Sequence, residues 1–342
     1  RGDSQVFRLF GYAGAGKTTL ARHIADDADG DVSFAAFTGK AAYVMRQKGC
    51  VDATTIHALI YRPSAADDDG APSFTIRRDA PASKADLIIV DECSMVDEDL
   101  GRDLLSFGKP VLVLGDPAQL PPVKGGGFFT DAEPDVMLTE IHRQAADNPI
   151  IRLSMAIREN EPFSEITDQC RVISKEDLST EDTLAADQVL VGSNKTRKRY
   201  NERLRALHGF ADVTPEAGER LVCLRNNKKK GLLNGGVWTV ASRRSPRKDR
   251  VRLSVTPEEG GRAITVSTPR AFFTDGPETV PFQNRRGADE FDYGYALTVH
   301  KAQGSQWDSL VLFDESYMFR EHRLRWLYTG VTRAAEKLVV VR

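Results

Sequence analysis

Short apolar runs recur along the first 140 residues and alternate with longer stretches of mixed polarity. The runs are VFRLF (6–10), VSFAAF (32–37), LIIV (87–90), VLVL (111–114) and VML (136–138). Short apolar runs separated by helix-compatible stretches are typical of a parallel sheet covered by helices. The pattern therefore predicts an α/β domain over residues 1–145. A hairpin-like excursion is expected at 61–84, a Pro/Asp/Ala-rich piece that contains SFTIRRD.

A second set of apolar runs follows and is interrupted by a β-rich segment. The runs are VLVG (189–192), LVLF (310–313) and LVVV (338–341). Between them, at 218–285, the segments RLVCL, VWTVAS, VRLSV and AITVS are separated by Gly, Pro and charged residues, which predicts a small inserted barrel. We therefore expect a second α/β domain at 146–217 and 286–342, with the β domain inserted at 218–285.

Charge is spread unevenly along the 342 residues. The formal net charge is −2, yet residues 195–252 carry 17 Lys and Arg against 5 Asp and Glu, a net of +12, so the rest of the chain carries −14. This asymmetry suggests one surface that faces a polyanion. NKTRKRYNERLRAL (194–207) has helical spacing, and two interpretations of its cations stay open: a solvated helix face or part of a nucleic-acid channel.

Composition excludes several classes of protein. No apolar run approaches the roughly 20 residues that a membrane span requires, so we expect a globular chain with no membrane partner. The four cysteines form no CxxC pair, which argues against a zinc site and suits a cytosolic location. The chain begins at Arg1 without a secretory signal pattern, which indicates a processed or shortened N-terminus.

The segment GYAGAGKTT (11–19) has the spacing of a phosphate-binding loop. It follows an apolar run and precedes a helix-compatible stretch, which is the strand–loop–helix context that this loop requires. Backbone N–H groups would cradle phosphates at the helix N-terminus, Lys17 would reach the β- and γ-phosphates, and the Thr18 hydroxyl would ligate Mg²⁺. The candidate nucleotide-binding residues of the loop are Gly11, Ala13, Gly14, Ala15, Gly16, Lys17, Thr18 and Thr19.

Acidic and amide residues follow the next two central runs. LIIVDE ends in Asp91, a candidate for the magnesium shell, and Glu92, which can polarise an attacking water. An Asp-Glu pair is also common in ordinary loops, but beside a phosphate-binding loop it favours a hydrolase over a nucleotide kinase, which does not use activated water. In VLVLGDPAQLPPV (111–123), Gln119 can sense the γ-phosphate by hydrogen bonding.

Eight motifs, taken in order, resemble those of superfamily 1 helicases. They are GYAGAGKTT, AFTGKAA, TTIHALI, VDECSMVD, GDPAQLPPV, EIHRQ, TVHKAQGSQWD and YTGVTRA. The match spans Gly11 to Val341 and is most similar to the RecD/Dda branch, with Pif1-type helicases close behind. The resemblance implies two RecA-like P-loop NTPase domains with a small SH3-like β-barrel insertion in the second. It also implies ATP and Mg²⁺ as cofactors and 5′→3′ movement on single-stranded DNA that unwinds duplex.

The resemblance also assigns roles outside the phosphate-binding loop. Arg143 and Arg333 would be arginine fingers that place positive charge on the γ-phosphoryl group from two domains, and Gly304 would lie in the nucleotide site. The nucleic-acid contacts would be Thr38, Gly39, Lys40, Thr55, His57, Thr298, His300 and Lys301. Hydroxyls, amides and cations suit phosphate contact without base readout. For the two histidines, a hydrogen-bonded structural role stays open.

The partners that the resemblance implies are single-stranded DNA, forked or tailed duplex DNA, and replication or repair proteins, with the chain as a monomer in the cytoplasm of a bacterial or phage-infected cell. Two alternatives stay open: a superfamily 1 RNA helicase, or a non-unwinding nucleic-acid-binding subunit of a larger recombination or repair complex. The family carries an adenine-reading glutamine well before the phosphate-binding loop, whereas here only Gln5 precedes it and stands too close. ATP is therefore assigned by the resemblance.

Overall fold

The computed structural model describes residues 4–63, 74–122, 125–139, 147–164, 167–247, 249–258 and 260–342. The strands are β1 Val6–Gly11, β2 Val32–Ala36, β3 Thr54–Thr55, β4 Tyr61–Pro63, β5 Phe74–Ile76, β6 Leu87–Asp91, β7 Val111–Gly115, β8 Val136–Leu138, β9 Cys170–Ile173, β10 Gln188–Val191, β11 Arg220–Cys223, β12 Val237–Arg247, β13 Arg250–Pro257, β14 Ile264–Pro269, β15 Phe291–Tyr293, β16 Ala296–Thr298, β17 Trp307–Phe313 and β18 Ala334–Val341.

Short helices connect most of these strands. The α-helices are α1 Lys17–Asp26, α2 Gly39–Gln47, α3 Ile56–Ile60, α4 Pro81–Lys84, α5 Glu98–Leu105, α6 Pro149–Arg158, α7 Thr180–Ala185, α8 Asn194–Leu207, α9 Ala271–Thr274, α10 Val299–Ala302 and α11 Arg323–Val331. The 3₁₀ helices are Cys93–Met95, Lys228–Lys230, Pro277–Thr279, Phe282–Arg285 and Ser316–His322. Each described helix is too short or too polar to cross a membrane.

The first sheet has six parallel strands in the order β3-β2-β6-β7-β1-β8. Successive residues of β6 face opposite cores, since Ile88 and Val90 pack in one apolar cluster and Ile89 packs in another. Strands buried on both faces read as continuous apolar runs, and for this reason the five runs of this region predicted its strands. The two-residue strand β3 has no apolar run and extends the edge of the sheet.

An antiparallel pair lies where the sequence predicts an excursion. Tyr61–Pro63 pairs with Phe74–Ile76, and helix α4 follows within the same segment. Residues 64–73, between the two strands, lie outside the described residues.

The second parallel sheet has the order β16-β10-β17-β18-β9. Ile150 and Leu153 of α6 pack with Leu310 of β17 and Trp326 of α11 in one core. Trp326–Val331 is buried throughout, so most of α11 has no solvent-facing side. The α/β class with parallel sheets is therefore confirmed.

The third sheet is antiparallel, in the order β14-β13-β12-β11-β15. The inward side chains of β13 alternate with outward ones, and Val251, Leu253 and Val255 pack in one core with Trp238 and Phe291. Its last strand, β15, lies beyond the predicted boundary at 285. Within the described ranges no ladder joins β14 to β15, although the backbone N–H of Asp289 donates to the Ser267 carbonyl at 2.9 Å. The SH3-like barrel and the domain boundaries remain predictions.

Candidate nucleotide-hydrolysis site and nucleic-acid face

The loop between β1 and α1 has the shape of a phosphate cradle. Gly14 (φ 80°) and Gly16 (φ 76°) adopt left-handed backbone conformations, which glycine reaches without steric cost. Helix α1 begins at Lys17, so its N-terminal amides surround the concave side of the loop. The Lys17 ammonium donates to the carbonyls of Gly11 (2.7 Å) and Tyr12 (3.1 Å), which fixes the cation within the loop.

The carboxylate at the end of β6 lies against the start of α1. The Thr18 hydroxyl donates to Asp91 Oδ2 at 2.8 Å, and the backbone N–H of Glu92 donates to Asp91 Oδ1 at 2.8 Å. A hydroxyl and a carboxylate are oxygen donors of the kind that Mg²⁺ uses, together with substrate phosphates and water. In the described part of the chain, no three His, Cys, Asp or Glu side chains gather around a possible metal position. These two residues therefore fit a magnesium bound mainly through phosphate.

Glu92 has an unusual backbone conformation. Its φ of 54° and ψ of 43° lie in the left-handed region, which costs a non-glycine residue about 1–3 kcal/mol. Its side chain is 23% exposed and lies 3.8 Å from Arg333, measured between Glu92 Oε1 and Arg333 Nη1. Burial raises the pKa of the Glu92 carboxyl, and the Arg333 guanidinium opposes that rise. A raised pKa suits a carboxylate that accepts a proton.

Arg333 follows helix α11 and is nearly buried. Its guanidinium donates to the carbonyls of Thr329 (3.1 Å) and Ser305 (3.3 Å) and to the Thr332 hydroxyl (3.2 Å). Its side chain is 8% exposed. These hydrogen bonds hold the Arg333 guanidinium, which belongs to the segment of the second sheet, in an orientation that faces Glu92 of the first sheet.

A cleft of about 360 Å³ is lined by residues from the segments of both parallel sheets. It gathers most of the sequence-predicted nucleotide residues, namely Ala13, Gly14, Gly16, Lys17, Thr18, Thr19, Asp91, Glu92, Gln119, Gly304 and Arg333. Gly11 instead packs against β8, where an added β-carbon would lie 2.9 Å from Leu138 Cβ, and Ala15 lines a neighbouring pocket beside α1. Arg143 lies outside the described residues.

Gln119 projects into the cleft from the loop after β7. It is 7% exposed, and its Oε1 is buried without a hydrogen-bond partner among the described residues. An unsatisfied buried acceptor in a cleft is expected to bind a ligand or water. The next residue, Leu120, is tied to the second sheet's segments, since its N–H donates to Thr329 Oγ1 (2.9 Å) and its carbonyl accepts from Gln303 Nε2 (3.0 Å).

Two buried residues beside the cleft were not assigned roles from the sequence. Asp116 is 2% exposed and accepts hydrogen bonds from the Tyr328 hydroxyl (2.7 Å) and the Ala118 N–H (3.0 Å). The Tyr328 oxygen also accepts from the N–H of Ala13 in the phosphate-binding loop (3.0 Å). Asp116 lies at the end of a buried strand, as Asp91 does, and this position in the sequence could have identified it as a candidate site residue. Tyr328 is the first residue of the motif YTGVTRA, but nothing in that motif indicates the hydrogen bonds that its hydroxyl makes.

Gln5 has a structural role. Its side-chain amide donates to the carbonyls of Leu105 (2.8 Å) and Lys109 (3.1 Å), both near the end of α5. It therefore braces the first sheet and does not take the place of an adenine-reading glutamine.

Three threonines predicted to contact nucleic acid cap short helices. Thr38, Thr55 and Thr298 accept hydrogen bonds from backbone N–H groups at the starts of α2 (3.1 Å), α3 (3.2 Å) and α10 (3.3 Å). Each follows or ends a parallel strand, β2, β3 or β16. A hydroxyl that accepts a capping bond keeps its hydrogen for an outside acceptor such as phosphate.

Gly39 and Gly304 are close-packing positions. Gly39 is buried, and an added β-carbon would lie 3.0 Å from Leu233 of the antiparallel sheet's segment. Gly304 has φ 75°, and a β-carbon there would lie 2.9 Å from Thr38 Oγ1 and 3.1 Å from Ala41 Cβ. The loop that lines the cleft therefore touches the N-terminus of α2.

The predicted nucleic-acid histidines pack among aromatic rings. His57 lies 5.5 Å from the Tyr61 ring, and His300 lies 5.3 Å from the Phe319 ring, measured between centroids. Burial lowers the pKa of both imidazoles and of the Lys40 ammonium. Both histidines are therefore mainly neutral at pH 7. Burial of the ammonium also lowers the pKa of Lys301, although the residue as a whole is exposed.

A phosphate-binding cleft shared by two parallel α/β sheets defines the class as a P-loop NTPase. The chain belongs to the AAA domain family, whose model matches residues 2–174, half of the chain. A second model, the UvrD-like helicase C-terminal domain, matches residues 293–341. Both matches are consistent with the resemblance of the ordered motifs to superfamily 1 helicases.

Two relatives with known names are similar to nearly the whole of this chain. The chain is 28% identical to the ATP-dependent RecD2 DNA helicase of Deinococcus radiodurans, over 96% of this chain and 46% of that protein. It is 24% identical to the conjugal transfer protein TraA of Rhizobium radiobacter, over 98% and 31% respectively. The chain thus spans less than half the length of either relative.

Solved structures show the same fold. Pif1 helicase from Bacteroides in complex with ADP-AlF3 and single-stranded DNA has a TM-score of 0.60 at 18% identity, covering 99% of this chain and 89% of that one. Pif1 helicase from Candida albicans has a TM-score of 0.58 at 18% identity, covering 99% and 91%. At these identities the similarity shows the fold alone.

Proposed function

We propose that this chain is an ATP-dependent DNA helicase that moves 5′→3′ on single-stranded DNA and unwinds duplex. The observation that carries the proposal is the approach of Arg333, from the second sheet's segment, to within 3.8 Å of Glu92 in the first. A nucleotide bound in this cleft would contact both segments, so hydrolysis and product release would change how they pack. Such a change is what translocation requires.

The chemical roles follow from the positions of the side chains. The loop amides and Lys17 bind the phosphates, Thr18 and Asp91 hold Mg²⁺, and Glu92 orients and deprotonates the attacking water. When bound, Mg²⁺ would neutralise charge on the phosphate oxygens. Arg333 stabilises the charge on the transferring phosphoryl group, with Arg143 as the second finger. The unsatisfied Gln119 Oε1 accepts a hydrogen bond from the same water.

The proposed strand lies across the three capped helix starts at Thr38, Thr55 and Thr298. Hydroxyls and neutral imidazoles there suit sequence-independent phosphate contact. The Pif1 structure with the same fold is bound to single-stranded DNA, which supports DNA as the track. We infer that the antiparallel strands within 218–285 form an SH3-like insertion, which β15 extends from the second α/β domain. We also infer that the chain acts as a cytoplasmic monomer on forked or tailed DNA, with replication or repair proteins as partners.

Steady-state ATP hydrolysis with and without oligo-dT tests the proposal, with oligo-rU as the RNA comparison. We expect strong stimulation by DNA and loss of turnover in Lys17→Ala, because the phosphates lose their cation. Lys84→Ala, which changes an exposed lysine in α4 away from the cleft, is the matched control and should hydrolyse normally.

The outcomes separate the alternatives. Stimulation by RNA alone would favour an RNA helicase, and DNA binding without hydrolysis would favour a non-unwinding subunit. Duplexes with 5′ or 3′ single-stranded tails then test direction. Unwinding only of the 3′-tailed duplex would contradict the proposed polarity.

A further inference from the structure

Tyr328 joins three segments around the cleft, and none of the chemical roles above uses it. Its hydroxyl donates to Asp116 Oδ2 (2.7 Å) in the loop after β7 and accepts from Ala13 N (3.0 Å) in the phosphate-binding loop. Tyr328 itself lies in α11, which packs in the core of the second sheet. One hydroxyl therefore bonds both cleft loops of the first sheet to a helix of the second.

The contact is buried, and its loss would leave a charged atom without a donor. Tyr328 is 1% exposed and Asp116 is 2% exposed. Among the described residues, Ala118 N–H donates to Asp116 Oδ1, and the Tyr328 hydroxyl is the donor to Oδ2. Hydrogen bonds to charged groups are about twice as strong as those between neutral groups. The fold therefore places a strong, directional hydrogen bond between the two segments.

The neighbours of Tyr328 show what this bond holds in place. Thr329 accepts from Leu120 N–H, next to Gln119, and Arg333 follows five residues after Tyr328. The phosphate-binding loop has a second tie to these segments, since the Arg158 guanidinium of α6 lies 3.6 Å from the centre of the Tyr12 ring. The register of α11 on the two loops thus sets where the Arg333 guanidinium lies.

We propose that Tyr328 is a positioning residue that locks α11 onto the phosphate-binding loop and Asp116 when the cleft is closed, and thereby brings Arg333 to the γ-phosphoryl position. The inference rests on the proposed function. It implies that Tyr328 contributes little to binding of ADP, whose contacts come mainly from the first sheet. It contributes strongly to binding of a transition-state mimic, which needs Arg333 in place.

The test is Tyr328→Phe, which removes the hydroxyl and keeps the ring. Tyr317→Phe, at an exposed tyrosine shortly before α11, is the matched control. We would measure the affinity for ADP and for ADP with aluminium fluoride, both with Mg²⁺, and the kcat and KM of DNA-stimulated hydrolysis. Loss of a buried bond to a charged group predicts that aluminium-fluoride affinity and kcat fall about tenfold to a hundredfold, while ADP affinity and KM change less than about threefold.

Each result has a distinct meaning. Equal losses of ADP and aluminium-fluoride affinity, or no loss of either, would overturn the positioning role. Absence of DNA-stimulated hydrolysis in the parent chain would instead refute the proposed function, while the comparison of ADP with its aluminium-fluoride complex still reports on Tyr328. If Tyr328→Phe does not fold, the double variant Tyr328→Phe/Asp116→Asn leaves no carboxylate without its donor, and the same selective loss is expected from it.

Discussion

The nucleotide cleft and the basic stretch at 195–252 differ in how the folded chain uses their charges. In the cleft, Lys17, Glu92 and Arg333 come from distant parts of the sequence and lie around one space. In the basic stretch, several cations that are neighbours in sequence pair instead with acidic side chains. Charges in a motif with fixed spacing therefore lie around one cleft, whereas a charge count along a stretch does not by itself locate a surface.

Six cations in the described part of the basic stretch form ion pairs. The pairs are Arg197–Asp292, Arg205–Glu219, Arg220–Glu258, Arg225–Glu290, Lys230–Asp289 and Arg243–Asp212. Four of the acidic partners lie beyond residue 252, so the net of +12 overstates the charge of any surface. The lysines at 228–230 illustrate this, because Lys230 pairs with an Asp289 side chain that is 4% exposed. A charge reversal there would test packing as much as strand binding.

Among substitutions in the cleft, Arg333→Ala is expected to have the largest effect. Loss of an arginine finger predicts a fall in kcat of about 10³-fold or more, because the charge of the transition state loses its stabilising cation. Single-turnover hydrolysis with bound DNA measures it. Arg323→Ala, at the start of the same helix, is the control, and a similar fall in that variant would indicate damage to α11 instead.

Glu92→Gln is expected to have the next largest effect. The amide keeps the shape of the side chain but cannot accept the proton of the attacking water, so kcat should fall about 10²–10⁴-fold. Equilibrium binding of ATP should persist. Hydrolysis at the parent rate would remove Glu92 from its proposed role.

Glu219→Gln tests whether Arg205 serves the fold. Glu219 is fully buried against Arg205, and neutralising one partner leaves an uncompensated charge, with an expected loss of about 3–5 kcal/mol in the free energy of unfolding. Urea denaturation measures this loss. Glu258→Gln, which affects the more exposed pair with Arg220, should cost about 1 kcal/mol or less. Equal losses would erase the distinction between buried and exposed pairs.

Arg244→Ser/Arg252→Ser tests whether the remaining cations contact the strand. The two arginines lie opposite each other on β12 and β13, and neither forms an ion pair within the described residues. Like charges placed directly opposite are unfavourable in a sheet, which points to a use outside the fold. The slope of log affinity for oligo-dT against log salt should fall by about 1.4, at about 0.7 per contact. Arg243→Ser, already paired with Asp212, should leave the slope unchanged.

The pH dependence of hydrolysis gives the smallest expected effect. Burial raises the pKa of the Glu92 carboxyl, and the proposed base must be ionised. The acidic limb of the kcat profile should therefore lie at higher pH than for an ordinary glutamate, with activity lost as the pH falls through the raised value. An acidic limb at the pH expected for an ordinary glutamate would show that the Arg333 guanidinium lowers the pKa of Glu92 by as much as burial raises it.

The sequence predicted the central parallel strands well because they are buried on both faces, whereas β9 and β16, at the edges of the second sheet, match no predicted run. VLVLG became the fully buried β7, and the helical spacing at 194–207 became α8. The edge strand β3 was not predicted, because two residues are too few to show a periodic pattern. These residues form a strand only because they pair with β2 of the folded sheet. β15 also lay outside the predicted β-rich segment, because a three-residue strand finds its partner through tertiary packing.

For the site, the loop and its acidic partner could be predicted from the sequence, but the contacts between the segments of the two sheets could not. The phosphate-binding spacing fixes local geometry, so Lys17 and Thr18 could be located without a structure. The hydrogen bonds of Tyr328 depend on where α11 packs, and the ion pair of Lys230 depends on a residue 59 positions away. Such contacts are set by the folded arrangement and have no signature in a single sequence.

Gly304 joins the cleft to the predicted nucleic-acid face. It lines the cleft, and the space where its side chain would be is filled by Thr38, a predicted strand contact. Binding of single-stranded DNA and binding of nucleotide would then be coupled through the contact between Gly304 and Thr38. In Gly304→Ala the added methyl group would push Thr38 away from the cleft loop. We then expect the rate of ATP hydrolysis to be the same with and without bound single-stranded DNA.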